Sequence, residues 1–374
     1  MLAAGRIRME YIAAAAFGLE GLVRRELNHL GLEAKGETGG ARFTATPEEA
    51  FKANLWLRTA DRVLLIMGEG EALSFEDLFQ LVQSLPWEDV LPRNARFPVS
   101  GKCARSQLMS VRDCQAITKK AIVERLKRHY KTQWFPEDGP EYPIDVSVHG
   151  DLARLTIDTS GTALNRRGYR TWNGEAPLRE TLAAALVLLS PWGRDMPLWD
   201  PCCGTGTLLI EAAYQRSRRA PGLPRAFACE AWPDFPKKKM DEIRKDAEAQ
   251  FDPALIGMIG GSDIDPEALT LCKRHIKQAG LAGKITVMQK DLKELQLEAA
   301  SPLFLLNPPY GERLSDKKKC EALYRDLRAL SDRHPGSRMG VITAHTGFER
   351  CYGKRAAQKR RLYNGRLECE FMVF

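Results

Sequence analysis

The stretch Leu198-Trp-Asp-Pro-Cys-Cys-Gly-Thr-Gly-Thr-Leu-Leu-Ile-Glu-Ala-Ala213 decides the fold. A short strand ends on an acid at Asp200. A turn with Gly204 and Gly206 follows, and an apolar helix opens near Thr207. Strand, glycine turn and helix in that order form the nucleotide-binding corner of a doubly wound sheet. The two glycines let the backbone approach a ligand and take angles closed to other residues.

The same stretch restricts the ligand. A phosphate loop ends in Gly-Lys-Ser/Thr, which is missing here. The dinucleotide fingerprint needs a third glycine where Leu209 stands, and an acid beside the turn repels a pyrophosphate. Asp200 suits a cationic amine, and S-adenosylmethionine is cationic and free of phosphate. Asp200, Cys202, Gly204 and Gly206 are therefore expected to face that cofactor. A later strand ends in Ile259-Gly-Gly-Ser-Asp263-Ile-Asp265-Pro, and a carboxylate there offers two acceptor oxygens to the ribose hydroxyls. Asp263 is the expected ribose residue, with Asp265 ordering the turn. Asp291, after a strand over residues 285–288, is expected at the adenine amine, although it also reads as a cap for the turn that follows.

The chemistry is expected at Asn307-Pro-Pro-Tyr-Gly311, after an apolar strand over residues 302–306. An exocyclic amine is a poor nucleophile because its lone pair is delocalised. Acceptors for its N–H groups counter this, and the Asn307 side chain and the Pro308 carbonyl supply two. Pro308 and Pro309 hold that carbonyl in place, and Tyr310 is expected to stack on a planar substrate. No strong base is needed, so catalysis is mainly positioning. Asn307 also reads as lining the cofactor site. Two prolines would end a strand in any case, which is the plainer structural reading.

Upstream, residues 10–16 read as a strand and 19–30 as a helix. A strand over 41–44, a helix from 47 and a strand over 62–67 follow, which together suggest a small α/β sandwich. A second unit has a helix over 75–85, a strand over 96–100, a long helix over 111–130, and strands over 144–149 and 152–158. On the long helix Ile122, Val123, Leu126 and Tyr130 fall on one side, and Lys120, Lys127, Arg128 and Lys131 on another. That layout is expected of a helix laid against phosphates. Residues 165–175, with three arginines, read as a polar linker.

The chain has 374 residues and a net charge of +8, concentrated in residues 93–131, where eleven Lys or Arg face two acids. A second basic cluster spans 354–361. Such charge attracts a polyanion, although a solvated face is the plain alternative. Nine cysteines without a CxxC pair give no zinc or disulfide framework. No run is apolar enough to span a bilayer and no secretory leader is read at the start, so a cytoplasmic protein without a membrane partner is expected.

The motifs 200–207, 261–265 and 307–311, with Asn165-Arg-Arg-Gly-Tyr-Arg170 and Ala176-Pro-Leu-Arg-Glu180, resemble the THUMP-domain RNA N2-guanine methyltransferases. These include the bacterial 23S ribosomal RNA enzyme domain. The resemblance covers essentially the whole chain, and residues 227–235, with Glu230 and Trp232, look like that family's insertion. It implies an α/β protein with a class I Rossmann-like methyltransferase domain over 164–374. Ahead of it come a ferredoxin-like domain over 1–70 and an RNA-binding THUMP domain over 71–163. It also implies S-adenosylmethionine as cofactor and methyl transfer to guanine N2 in RNA, most naturally 23S ribosomal RNA. By the same resemblance Arg179 supports the methionine end or the target pocket. Transfer RNA as substrate stays open, as do adenine N6 and a protein glutamine, which similar tetrads methylate. A non-catalytic ribosome assembly role also stays open.

Overall fold

Along β1 (Met9–Ala14) Tyr11, Ile12 and Ala13 are all buried while Glu10 is exposed, so the middle of this inner strand is covered on both faces. The computed structural model describes residues 8–170, 178–233, 235–298, 301–311 and 314–374. They form two compact units. Of the described residues, the first unit holds those within Met1–Ala15, Val23–Leu164 and Ala226–Lys245, and the second those within Ala16–Leu22, Asn165–Arg225 and Asp246–Phe374.

After β1 come α1 (Glu20–His29), which enters the first unit at Val23, and then β2 (Ala34–Glu37), β3 (Gly40–Ala45), α2 (Pro47–Trp56) and β4 (Arg62–Glu71). Then come α3 (Phe75–Ser84), β5 (Val99–Ala104), α4 (Val111–Tyr130), β6 (Ile144–His149) and β7 (Leu152–Asp158). The helix starts are local. Thr46 and Glu49 form a capping box on α2, Ser74 and Asp77 one on α3, and the Ser110 side chain accepts from Asp113 N on α4. All seven strands join one sheet in the order β2-β3-β1-β4-β7-β6-β5, antiparallel except for β5 beside β6.

Two expectations change here. β4 pairs with both β1 and β7. A bulge between Ile66 and Gly68 carries the strand past Met67, where the sequence reading stops it. Gly68 and Gly70 then lie under Leu85 and Leu81, where a Cβ would collide. The strand read at 96–100 lies instead at Val99–Ala104, with Arg96 making only an isolated bridge to Glu141.

The second unit begins with α5 (Glu180–Leu189), β8 (Leu198–Asp200) and α6 (Thr207–Arg216). It continues through α7 (Lys237–Ala249), which starts in the first unit, to β9 (Ile259–Asp263), α8 (Pro266–Gln278) and β10 (Thr286–Gln289). Next are β11 (Leu303–Leu306), α9 (Leu314–Arg333), β12 (Arg338–Thr343) and α10 (Phe348–Tyr352), and a hairpin of β13 (Gln358–Asn364) and β14 (Leu367–Val373) closes the chain. The sheet order is β10-β9-β8-β11-β12-β14-β13, with the first five strands parallel and β14 antiparallel to both neighbours. Strand order reverses between β8 and β11, the crevice where such sheets bind ligands.

Residues 165–170 are not the solvated linker that their polarity suggests. Arg167 is 2% exposed and its Nε lies 3.4 Å from Glu211 Oε1 on α6, which also accepts from the buried Tyr169 hydroxyl at 3.0 Å. The three polar groups offset one another inside the unit, which hydropathy alone does not reveal. Residues 171–175 of that stretch, and Ala176 and Pro177 of the second motif, lie outside the described residues.

Candidate active site

The parallel strands of the second unit end around a cavity of about 550 Å³. Its lining includes Asp200 at the end of β8, Cys202 to Thr205 in the turn, Thr207 on α6, Asp265 before α8 and Asn307 after β11. Gly206 takes φ +84°, and a Cβ there would stand 2.5 Å from Cys272 Sγ. Gly204 takes φ +49° and a Cβ there would meet nothing within 4 Å, so its backbone borders open space. In β9, Gly260 and Gly261 leave room for the Trp199 ring and for Cys203, and Ser262 Oγ accepts from Trp199 Nε1 at 3.2 Å. Arg170 Nη2 anchors the other side of the turn, donating to Thr207 Oγ1 at 2.5 Å and to Leu178 O at 3.0 Å.

Asp200 is 2% exposed and accepts from Cys202 N at 3.0 Å. Burial pushes its carboxyl well above the usual carboxylate range, the Cys202 bond opposes this, and the charge of Asp263 adds to it. Among the described residues no Lys, Arg or His lies within ion-pair distance of Asp200. A buried carboxylate with no cation from the protein fits a cationic ligand. Asp263 ties the end of β9 to the glycine turn, its Oδ2 accepting from Gly204 N at 2.8 Å and its Oδ1 from Asp265 N at 3.0 Å. Each oxygen keeps a second acceptor position. Asp265 caps α8 through Glu267 N at 2.8 Å. Asp291 is exposed and caps its own turn through Lys293 N at 2.9 Å, the plainer of its two expected roles. Burial, followed by the charges of Asp200, Asp263 and Asp291, drives the Cys202 thiol well above its ordinary range, so the three acids act on one point.

In the tetrad, Pro308 is buried, Asn307 and Tyr310 are half-buried, and Pro309 is exposed. Tyr310 donates its hydroxyl to Asn307 Oδ1, and burial raises its pKa. The ring expected to stack on a substrate is thus tethered to the neighbouring amide. Tyr324 on α9, fully buried, donates to Pro309 O at 2.8 Å and holds the tetrad from behind. Sequence reading did not single out Tyr324 or Cys272, and it quoted Arg170 only within a motif and without a role, because each acts through a contact outside its own local stretch. Ile264, 68% exposed between Asp263 and Asp265, was also missed, although an apolar residue between two acids is a visible signal. Arg179 is exposed at the start of α5 and is not part of the cavity lining.

A larger cavity, about 810 Å³, lies on the sheet of the first unit. Arg62 and Asp158, and Arg96 and Glu141, pair off within it, and Lys102 and Asp145 also line it. Of the expected RNA-facing residues, Lys120, Arg128 and Lys131 are exposed. Lys127 is half-buried and pairs with Glu124 at 3.0 Å. The second basic cluster is more engaged. Lys359 pairs with Glu349, Arg360 donates to Gly18 O at 3.1 Å, and Arg361 lies 3.3 Å from Glu368. Among the described residues no helix is long and apolar enough to cross a membrane.

Residues 167–372 match the family model of the RMKL-like methyltransferase domain, 10–64 that of the RlmL ferredoxin-like domain, and 72–158 that of the THUMP domain. The chain is 39% identical to YpsC of Bacillus subtilis, a candidate RNA methyltransferase, over 97% of this chain and 95% of that protein. It is 35% identical to the ribosomal RNA large subunit methyltransferase K/L of Methylococcus capsulatus, over 98% of this chain but only 51% of that protein. The chain therefore spans about half the length of that K/L relative. A crystal structure from Listeria monocytogenes, described as a predicted N6-adenine-specific DNA methylase, matches with TM-score 0.94 and 41% identity over 99% of this chain and 97% of that one. The structure of SMU.472, a candidate methyltransferase complexed with S-adenosylhomocysteine, matches with TM-score 0.94 and 38% identity over 98% of both chains.

Proposed function

Because the chain belongs to the RMKL-like methyltransferase family, an RNA methyltransferase using S-adenosylmethionine, we propose that it methylates the exocyclic N2 amine of a guanosine in 23S ribosomal RNA. The observation that carries the reading is the pairing of an Asn-Pro-Pro-Tyr turn at the end of β11 with a cavity that Asn307 itself lines. The preference for RNA is supported by the THUMP domain and by the K/L relatives, named for large-subunit ribosomal RNA. The base rests on family resemblance, an associational warrant.

When bound, the cofactor supplies an electrophilic methyl on a sulfonium. Asp200 would receive the cationic methionine end, and Gly204 and Gly206 would let the backbone close around it. Asp263 would take the ribose hydroxyls, Asp291 the adenine amine, and Ile264 would offer the adenine ring an apolar face. Asn307 Oδ1 and the Pro308 carbonyl accept the N–H groups of the target amine and aim its lone pair. The Tyr310 hydroxyl fixes the Asn307 amide, and Tyr324 fixes the backbone beneath. Breaking the S–CH3 bond as the N–CH3 bond forms would leave a neutral thioether and an acidic cationic nitrogen, whose proton can pass to water, so no side chain need be a strong base. Lys120, Arg128 and Lys131 would hold phosphates of the RNA, while Lys127, expected beside them, is drawn to Glu124 at 3.0 Å.

Nucleoside mass spectrometry of ribosomal and transfer RNA from cells with and without the gene tests the product. One N2-methylguanosine should vanish from large-subunit RNA. Loss confined to transfer RNA makes the runner-up substrate right, and loss of N6-methyladenosine overturns the base. A labelled-methyl assay on RNA, DNA and protein separates the remaining readings. Label in protein or DNA alone rejects an RNA target, and no label in any fraction favours the assembly role.

A further inference from the structure

Trp134 is the most exposed aromatic side chain among the described residues, at 70%. Its exposure does not come from a loose segment. Just before it, Tyr130 donates its hydroxyl to Leu91 O at 2.8 Å, and Lys131 turns the chain in the left-handed region at φ 49°. Just after it, the Phe135 ring packs edge-on against Tyr130 with centroids 6.4 Å apart. Thr132 then brackets the tryptophan itself, its Oγ1 donating to Trp134 O at 3.0 Å and accepting from Trp134 N at 3.4 Å. The backbone is held on both sides while the indole stays in water.

The surroundings indicate what the ring is for. Arg128 and Lys131 are exposed, and among the described residues no carboxylate lies within ion-pair distance of either. They end a segment, residues 93–131, with eleven basic and two acidic residues. An exposed aromatic face three residues after Lys131 and six after Arg128 matches one ligand chemistry, an unpaired nucleobase with its phosphates. A protein partner fits less well. From residue 128 to 138 no other large apolar side chain is strongly exposed, and a stable protein interface buries roughly 800 Å² on each side.

We propose that Trp134, with Arg128 and Lys131, forms a stacking site for an unpaired base at the C-terminal end of α4. The site would engage the substrate outside the methyl-transfer cavity. The proposal rests on the reading that the chain acts on RNA.

The test titrates the full chain with a fluorescent unstructured RNA 12-mer and with an RNA duplex of equal length. Trp134→Ala should weaken single-strand binding about tenfold. It should leave duplex binding, the salt slope and cofactor affinity unchanged, and Trp134→Phe should keep most of the single-strand affinity. The residue is exposed, so the melting temperature should hold and exclude misfolding as the cause. If the wild type binds RNA and Trp134→Ala binds the single strand equally well, the stacking site is wrong and the RNA reading stands. Equal loss on duplex and single strand also rejects stacking. A wild type that binds neither RNA at low salt overturns both the RNA reading and this proposal.

Discussion

In the proposed reaction Asn307 carries the most chemistry, and its side chain is tethered by Tyr310 of the same motif. Asn307→Ala should lower kcat by roughly 100-fold or more, because it removes an acceptor that matters most as charge develops on the amine. Cofactor affinity should fall only slightly, and equilibrium dialysis with single-turnover kinetics separates the two effects. Tyr310→Phe leaves the amide present but untethered, so kcat should drop about tenfold with cofactor affinity unchanged. Asp200 adds a pH signature. Its carboxyl sits above the usual range, and a cationic ligand favours the ionised form. Binding should therefore release a proton at pH values below that raised pKa, and affinity should fall as the pH drops through it. Calorimetry in buffers of different ionisation enthalpy measures the release. Asp200→Asn should abolish the part due to this residue, and an unchanged release in that variant would remove Asp200 from the linkage.

Between elements, the glycine turn depends on α8. Gly206→Ala puts a side chain at φ +84° and 2.5 Å from Cys272 Sγ, two separable penalties. The substitution should cost about 1–3 kcal/mol of stability and weaken the cofactor. Adding Cys272→Ala should recover the steric part and leave the backbone part, as a double-mutant cycle in thermal melts would show. On α4, the geometry distinguishes among the four basic residues. Replacing Lys120, Arg128 and Lys131 with Gln should reduce the salt slope of RNA binding by roughly 2 to 3. Adding Lys127→Gln should change it little, because Glu124 already holds that ammonium at 3.0 Å. An unchanged slope after the triple substitution would move the phosphates to another surface.

The chain passes between its two units more than once. The insertion between β8 and β9 returns to the first unit, where the Trp232 ring stacks on Tyr142 at 4.5 Å and its Nε1 donates to Glu141 O at 2.9 Å. Phe227 meets Phe51 edge-on at 5.7 Å. A fragment starting at Asn165 keeps every motif of the cofactor site but strips these aromatics of their partners. It should aggregate or bind a hydrophobic dye far more than the full chain, and its melting should lose cooperativity. A fragment that melts as sharply as the full chain would show that the insertion packs adequately alone.

Residues close together in the chain were legible in advance. The Asp200–Gly206 turn, the acid at 263, the Asn307–Tyr310 tetrad and the 111–130 helix depend on neighbouring residues, because a glycine angle, a helix period or a proline turn is a local property. The four-residue β2 and the continuation of β4 through two glycines were not legible, because short strands and glycines gain their stability from partners across the sheet. The same holds for function. By itself the sequence determined which groups could meet an amine and a cationic cofactor. Only the tertiary structure decided that Tyr324 clamps Pro309, that Arg167 is buried against Glu211, and that Asp263 clasps the glycine turn. Each of these contacts joins groups distant in the chain, and such contacts form only once the sheet has brought its strand ends together.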